Sequence, residues 1–455
     1  MSQVAVLARI FDECREGRRG GMRGNMKKAA EGLCILLKGI LFTGFSVRIV
    51  LGLAWMCANF IEVQEFGQPQ GFLYPLLLGV LGKVPQILYL LQLGLAGFAA
   101  YMLLKPIFPT GRLWRVWFVL AFMSLPMAMQ CHLALLPYSF VSSLLILEFT
   151  CCRNVLAGEG GLGLRAIAGA GGCWIGLALL LSEYGWLGSL PLVFVLLVRL
   201  PRLCRNLRQL AYSVLLFAAF GGIVAGTVSL TRRAEDYERT FWFSMASRMT
   251  WPTVVQDSSR WPQELLGLLP EGVRWETSYM SSNMEKILQP TLEAAVGKEK
   301  AQEYYREMAE ISFRLHKAWI VNRIGWDALI YAVPQAVLQE QLKGTGYDSY
   351  SGRNYEIMAM EHPVLTKHYV DYSCWWFAAA LGGTVLFLTA LKAAGRKLIK
   401  KGGVLLLAAY LVPVGGILTY YVMRGAGMAD YRCTLAVSTM WTVSALFCMG
   451  KEQYI

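Results

Sequence analysis

About ten apolar runs, nearly all long enough to cross a bilayer as a helix, make up most of this chain, and one long polar stretch interrupts them. The runs are Ile40–Ala58, Pro85–Leu104, Leu113–Gln130, Leu133–Phe149, Arg165–Leu181, Trp186–Leu200, Leu210–Leu230, Tyr372–Leu391, Gly403–Val422 and Cys433–Met449. None alternates polar with apolar residues as a barrel strand would, so helices are expected. Only 16% of the residues are charged, where a soluble domain carries about a quarter. The expected fold is an all-α polytopic membrane protein of about ten transmembrane helices with a mostly helical extracytoplasmic domain. Residues 1–38 form a basic cytoplasmic segment, and 39–230 a membrane module of about seven helices with an outer first loop at 59–84. Residues 231–371 form the extracytoplasmic domain, and 372–455 a second module of about three helices.

Charge sets the expected orientation. With the N-terminus in the cytoplasm, the inner connections carry Lys105, Arg112 and Arg115, then Arg153 and Arg165, then Arg202, Arg205 and Arg208, and then Lys392, Arg396, Lys397, Lys400 and Lys401. The outer connections carry Glu62, Glu65, His132, Glu183 and Asp430, with Lys83, Arg424 and Arg432 as exceptions. This is the positive-inside pattern, and it puts both termini in the cytoplasm and the long polar stretch outside. The net charge of +13 then reflects inner loops that meet anionic lipid, and nucleic acid is excluded as a partner. The basic stretch from Arg15 to Lys28 precedes a first span read as uncleaved.

The 11 cysteines include no Cys-x-x-Cys pair and outline no disulfide framework, which favours a bacterial plasma membrane over an oxidising lumen. The 4 histidines show no metal-ligand spacing, so no metal site is assigned. Phosphate-cradling glycine loops, Gly-x-Ser-x-Gly and His-Glu-x-x-His are absent from the sequence.

The first outer loop is unusual. Its segment Phe72 to Leu78 is apolar but too short to cross. It fits either an interfacial or re-entrant helix or a short buried core helix. Within the polar stretch, Trp242, Trp251, Trp261 and Trp275 suit a membrane interface. From Leu292 a helical pattern begins, with Met308, Ile311, Leu315 and Trp319 as its apolar stripe.

Glu62 and Glu65 share one face if their stretch is helical. A carboxylate at the apolar boundary is partly desolvated, which raises its pKa towards that of a general base. An acidic pair in an outer loop with no chemical role is the competing reading. Arg48, deep in the first span, must snorkel, pair or line a cavity. Glu148, near the inner end of the expected fourth span, reads as structural.

Glu65-Phe66-Gly67 followed by Leu73-Tyr74-Pro75-Leu76, the turn Gln130 to Ser139, and Asp430-Tyr431-Arg432 together resemble a known layout. It is that of the GT-C class of membrane glycosyltransferases, including the dolichyl-phosphate-mannose protein mannosyltransferase family and its bacterial relatives. The resemblance implies a catalytic carboxylate just past the first span, here Glu65 with Glu62. It implies hexosyl or pentosyl transfer from a polyprenyl-phosphate carrier to a glycan, lipid or protein acceptor on the outer face. No further cofactor follows, and one acidic pair is thin ligation for a divalent ion. Phosphate recognition would fall to Arg432, Arg232 and Arg233. Acceptor or substrate contacts would fall to His132, Tyr138 and Asp430. The turn at Leu136-Pro137-Tyr138 lacks the acidic residue common in that class. Two other readings stay open: a transporter or flippase of lipid-linked sugars, and a non-catalytic scaffold of the same fold.

Overall fold

In the computed structural model, the described residues are 49–54, 65–66, 72–82, 84–105, 112–123, 134–135, 137–157, 161–231, 263–268 and 289–322, with His132, Trp242 and isolated positions at 43–57, 361–365 and 412–419. The chain divides into two units: Met1–Thr231 with Ala332–Gly416 and Arg432–Ile455, and Arg232–Tyr331 with Ile417–Tyr431.

The described part of the first unit is almost wholly helical. In order it holds β1 (Glu65–Phe66), α1 (Leu73–Leu81), α2 (Pro85–Leu104), α3 (Arg112–Met123), β2 (Ala134–Leu135), α4 (Tyr138–Ala157), α5 (Gly161–Leu180), α6 (Tyr184–Leu187), α7 (Ser189–Leu203) and α8 (Leu207–Thr231). Five stretches are long and apolar enough to cross a membrane: Pro85–Leu104, Tyr138–Leu156, Gly163–Leu180, Tyr184–Pro201 and Leu207–Ser229. They correspond to the second, fourth, fifth, sixth and seventh expected spans. The second has the expected bounds; its proline stands at the first helical position, where the missing N–H costs nothing. The third is helical over Arg112–Met123, and 124–131 lie outside the described residues. The first expected span is helical wherever it is described, at 49–54 and at isolated positions from 43 to 57, and the last three fall mostly outside the described residues.

The fourth span departs from expectation. Its helix begins at Tyr138 instead of Leu133 and runs on to Ala157. The apolar run before Pro137 is drawn into the short strand β2. Glu148 therefore sits in the middle of the helix and not near its inner end.

Small residues let α5 approach both neighbours closely, the usual route to tight packing between membrane helices. A side chain at Gly169 would meet Cys151 of α4, and one at Gly176 would meet Leu144 of the same helix. On another side of α5, the Phe220 ring of α8 lies against Gly171, leaving no room there for a Cβ. Trp174 stacks on Phe217 at 5.5 Å and donates its indole N–H to the Gly185 carbonyl at 3.0 Å. The core from Cys152, Val155, Ile167, Ala170, Trp174, Leu192, Val195 and Val224 joins α4, α5, α7 and α8. On the far side of α4, Ile146 packs with Ala99 and Leu103 of α2. Arg199 of α7 donates to the Leu156 carbonyl at 3.1 Å, near the C-terminal end of α4. On α8 the apolar residues Val214, Leu215 and Ile223 stay exposed, as suits a helix that faces lipid.

The second unit holds α9 (Gln263–Leu268), α10 (Gln289–Val296) and α11 (Lys298–Leu315). Gly297, at φ 79°, turns the chain between α10 and α11, a backbone conformation that glycine adopts without strain. α11 buries Ala301, Tyr304, Tyr305, Met308, Ala309 and Ser312. The expected stripe from Met308 to Trp319 is thus rotated: Leu315 is exposed, and the helix ends there. Tyr304 donates to Glu264 of α9 at 2.7 Å, which replaces an apolar contact by a polar one that hydropathy does not register.

Candidate functional site

The first loop folds back onto the turn that precedes α4. Glu65 and Phe66 pair in parallel with Ala134 and Leu135, so the Glu65 backbone lies beside Ala134 at about 4.8 Å strand spacing. His132 is two residues away in the sequence.

Further contacts anchor the loop and the turn. Tyr74 of α1 is fully buried and sets its ring edge-on to Phe140 in the first turn of α4, with centroids 6.3 Å apart. The Phe72 N–H donates to the Leu179 carbonyl at the end of α5, at 3.0 Å. β2 also lies against α2. The opposite face of α1 leaves Phe72, Leu76 and Val80 exposed at four-residue steps. One face in the core and one apolar face outward is the arrangement of an interfacial helix, and it also satisfies the buried-helix reading for Tyr74.

His132 is 1% exposed. Its Nδ1 and the Ser139 Oγ form a hydrogen bond of 2.8 Å, whose direction follows the ring tautomer. Ser139 opens α4, and the Ser143 hydroxyl donates to its carbonyl at 2.8 Å. Nε2 is buried and has no hydrogen-bond partner among the described residues. Burial pushes the His132 pKa down to about 4, so the imidazole is neutral at neutral pH. A neutral ring held through Nδ1 has one nitrogen left to accept or donate towards a hydroxyl or a phosphate oxygen.

No family model, curated protein or solved structure matches the chain. The site therefore rests on its own residues. Of the sequence candidates, the structure brings the Glu65 backbone, His132 and Tyr138 to one end of the bundle. Tyr138 is half-buried at the start of α4. The Glu65 side chain, and Glu62, Arg232, Arg233, Asp430 and Arg432, lie outside the described residues. Among the described residues no group of His, Cys, Asp and Glu is placed to hold a metal ion.

Ser139 is the site residue that sequence reading missed. Its signal was present: Ser139, Ser142, Ser143, Glu148 and Thr150 are polar residues inside an apolar helix, and all are buried. A polar side chain in such a helix needs a reason, and for Ser139 the reason is His132.

Proposed function

We propose that this chain is an integral membrane glycosyltransferase that moves a sugar from a polyprenyl-phosphate carrier to an acceptor, with Glu65 as base. The observation that carries the reading is the parallel pairing of Glu65–Phe66 with Ala134–Leu135. It draws the loop bearing the expected base onto the turn bearing the expected acceptor contact. Two connections that the charge pattern assigns to one side of the membrane thus meet, as a shared reaction site requires.

The roles follow from the chemistry. Glu65, with Glu62 beside it in sequence, takes the proton of the acceptor hydroxyl. His132, fixed by Ser139 and neutral, hydrogen-bonds the acceptor or a phosphate oxygen. Tyr138 contacts the acceptor or the sugar, and Arg432 neutralises the departing phosphate, where charge builds in the transition state. The five long apolar helices support contact with the lipid in which such a donor resides.

The test is donor turnover by the purified full chain in lipid, against a panel of polyprenyl-phosphate sugars. Loss of a general base predicts a fall of roughly 10²–10⁴-fold for Glu65→Gln with folding intact. Full turnover in both Glu65→Gln and Glu62→Gln would remove the carboxylate from the mechanism. No turnover of any donor by the wild type would remove the reaction class.

A further inference from the structure

Glu148 is the one carboxyl in the described residues that is fully buried with neither oxygen hydrogen-bonded. It is the eleventh of the 20 residues of α4. At 1.5 Å per residue it stands roughly 15 Å from either end, the middle of a hydrocarbon layer about 30 Å thick. Its helix face is apolar throughout: Val141, Leu145, Cys152 and Val155, three to seven residues away, are each 3% exposed or less.

The facing helix supplies no counter-charge. Cys151 meets Gly169 and Leu144 meets Gly176, so α4 and α5 run antiparallel and residue 148 comes level with residues 172–173. Cys173 is therefore the ionisable group that faces it from α5, and Cys151 and Cys152 are its neighbours on α4. From α7, the nearest cation in sequence to the shared core is Arg199, whose guanidinium is on the Leu156 carbonyl, two turns further along α4. Arg153 lies five residues on, rotated about 140° around the helix. On α2 the residues packed against α4 here are Ala99 and Leu103. An ionised carboxylate in these surroundings would be strongly unfavourable, and only a bound proton or cation relieves it. A thiol cannot neutralise it, and among the described residues no cation forms an ion pair with it, so the proton is the ligand that the surroundings select.

We propose that Glu148 is a proton-binding site in the interior of the helical bundle, carried as the neutral acid and able to exchange its proton with solvent. This site does not depend on the glycosyltransferase reading. It gives the chain a proton-linked step at a place far in sequence from Glu65.

The experiment is infrared spectroscopy of the full chain in lipid, wild type beside Glu148→Gln, in H2O and D2O. At neutral pH the wild type should show a protonated-carboxyl carbonyl band that the variant lacks, and the band should shift in D2O. A protonated-carboxyl region unchanged between the two proteins would mean that Glu148 is ionised, and would overturn the proposal. A band that stays unshifted in D2O would overturn it too, since the acid would then be static. If the variant does not fold, labelling of the wild type decides. A lipid-soluble carbodiimide adds the carboxyl across its C=N bond, with the acid proton passing to nitrogen, and rearranges to a stable N-acylurea. An adduct mapped to Glu148, and none from a water-soluble carbodiimide, supports the site; its absence refutes it.

Discussion

Two helices of nearly equal length, α4 with 20 residues and α11 with 18, meet opposite surroundings. Every residue of α4 from 141 to 150 is buried or half-buried. α11 alternates instead: Ala301, Tyr304, Tyr305, Met308 and Ser312 are buried, and charged residues such as Glu303, Arg306 and Glu310 are exposed between them. The difference teaches what hydrophobic periodicity reports. It records a boundary between core and water, so it is strong where one face is wet. A helix enclosed by others in an apolar layer has no wet face, and its polar residues mark specific partners instead. In α11 the exposed Arg306–Glu310 pair, at 2.9 Å, is ordinary surface chemistry. In α4 the buried Ser139 and Glu148 are departures from the surroundings, and each calls for a partner or a proton.

The largest expected effect tests the amphipathic side of this contrast. Tyr305 is 0% exposed, and Tyr305→Ala should cost about 3–5 kcal/mol, read as lowered resistance of residues 289–322 to denaturant or protease. A loss below about 1 kcal/mol would mean that α11 does not rest on this face.

Next is pH, at the end of α4. His132 has its folded pKa lowered from 6.5 to about 4. The unfolded chain therefore binds more protons between those values, and stability rises with pH across that window. The full contribution is present above about pH 6.5 and is lost as pH falls towards 4, amounting to about 3 kcal/mol. Melting curves of wild type and His132→Gln between pH 7 and 4 should converge if burial of the neutral ring is the cause. Parallel curves would break the assignment.

A paired substitution then sharpens the packing side. Gly171→Ala drives a methyl into the Phe220 ring and should cost about 1–3 kcal/mol. Gly172→Ala meets nothing within 4 Å and should be neutral, or stabilise by up to about 1 kcal/mol through helix propensity. Equal melting temperatures for the two variants would mean that α5 and α8 do not approach as described. The smallest effect belongs to Arg306→Ala, expected at about 0.5 kcal/mol or less, because both partners of its ion pair are more than half exposed.

Much of this organisation is legible without coordinates. The bounds of α2 follow from an uninterrupted apolar run opened by Pro85, and the long apolar run of α8 gives way to charge at Arg232. Less legible is where a span begins when an apolar run continues into a turn. Leu133 to Leu136 are as apolar as the helix they precede, yet two of them pair with Glu65–Phe66. Hydropathy measures transfer from water and is blind to whether the backbone bonds locally or across to another segment. The candidate site was legible in part. Glu65 and His132 stand out as polar residues at the ends of apolar runs, but Ser139 became visible only through its bond to His132.

Composition and order alone determined that this chain forms long apolar helices and carries a separate polar unit, because burying a backbone in lipid permits few alternatives. They determined too which polar residues are out of place. Only the tertiary structure decided which of these meet: that the Glu65 loop returns to the His132 turn, and that Glu148 lies at mid-helix among apolar neighbours. The physical reason is that such contacts join residues about 70 positions apart, or helices placed by close approach at glycine, and a local pattern has no term for either.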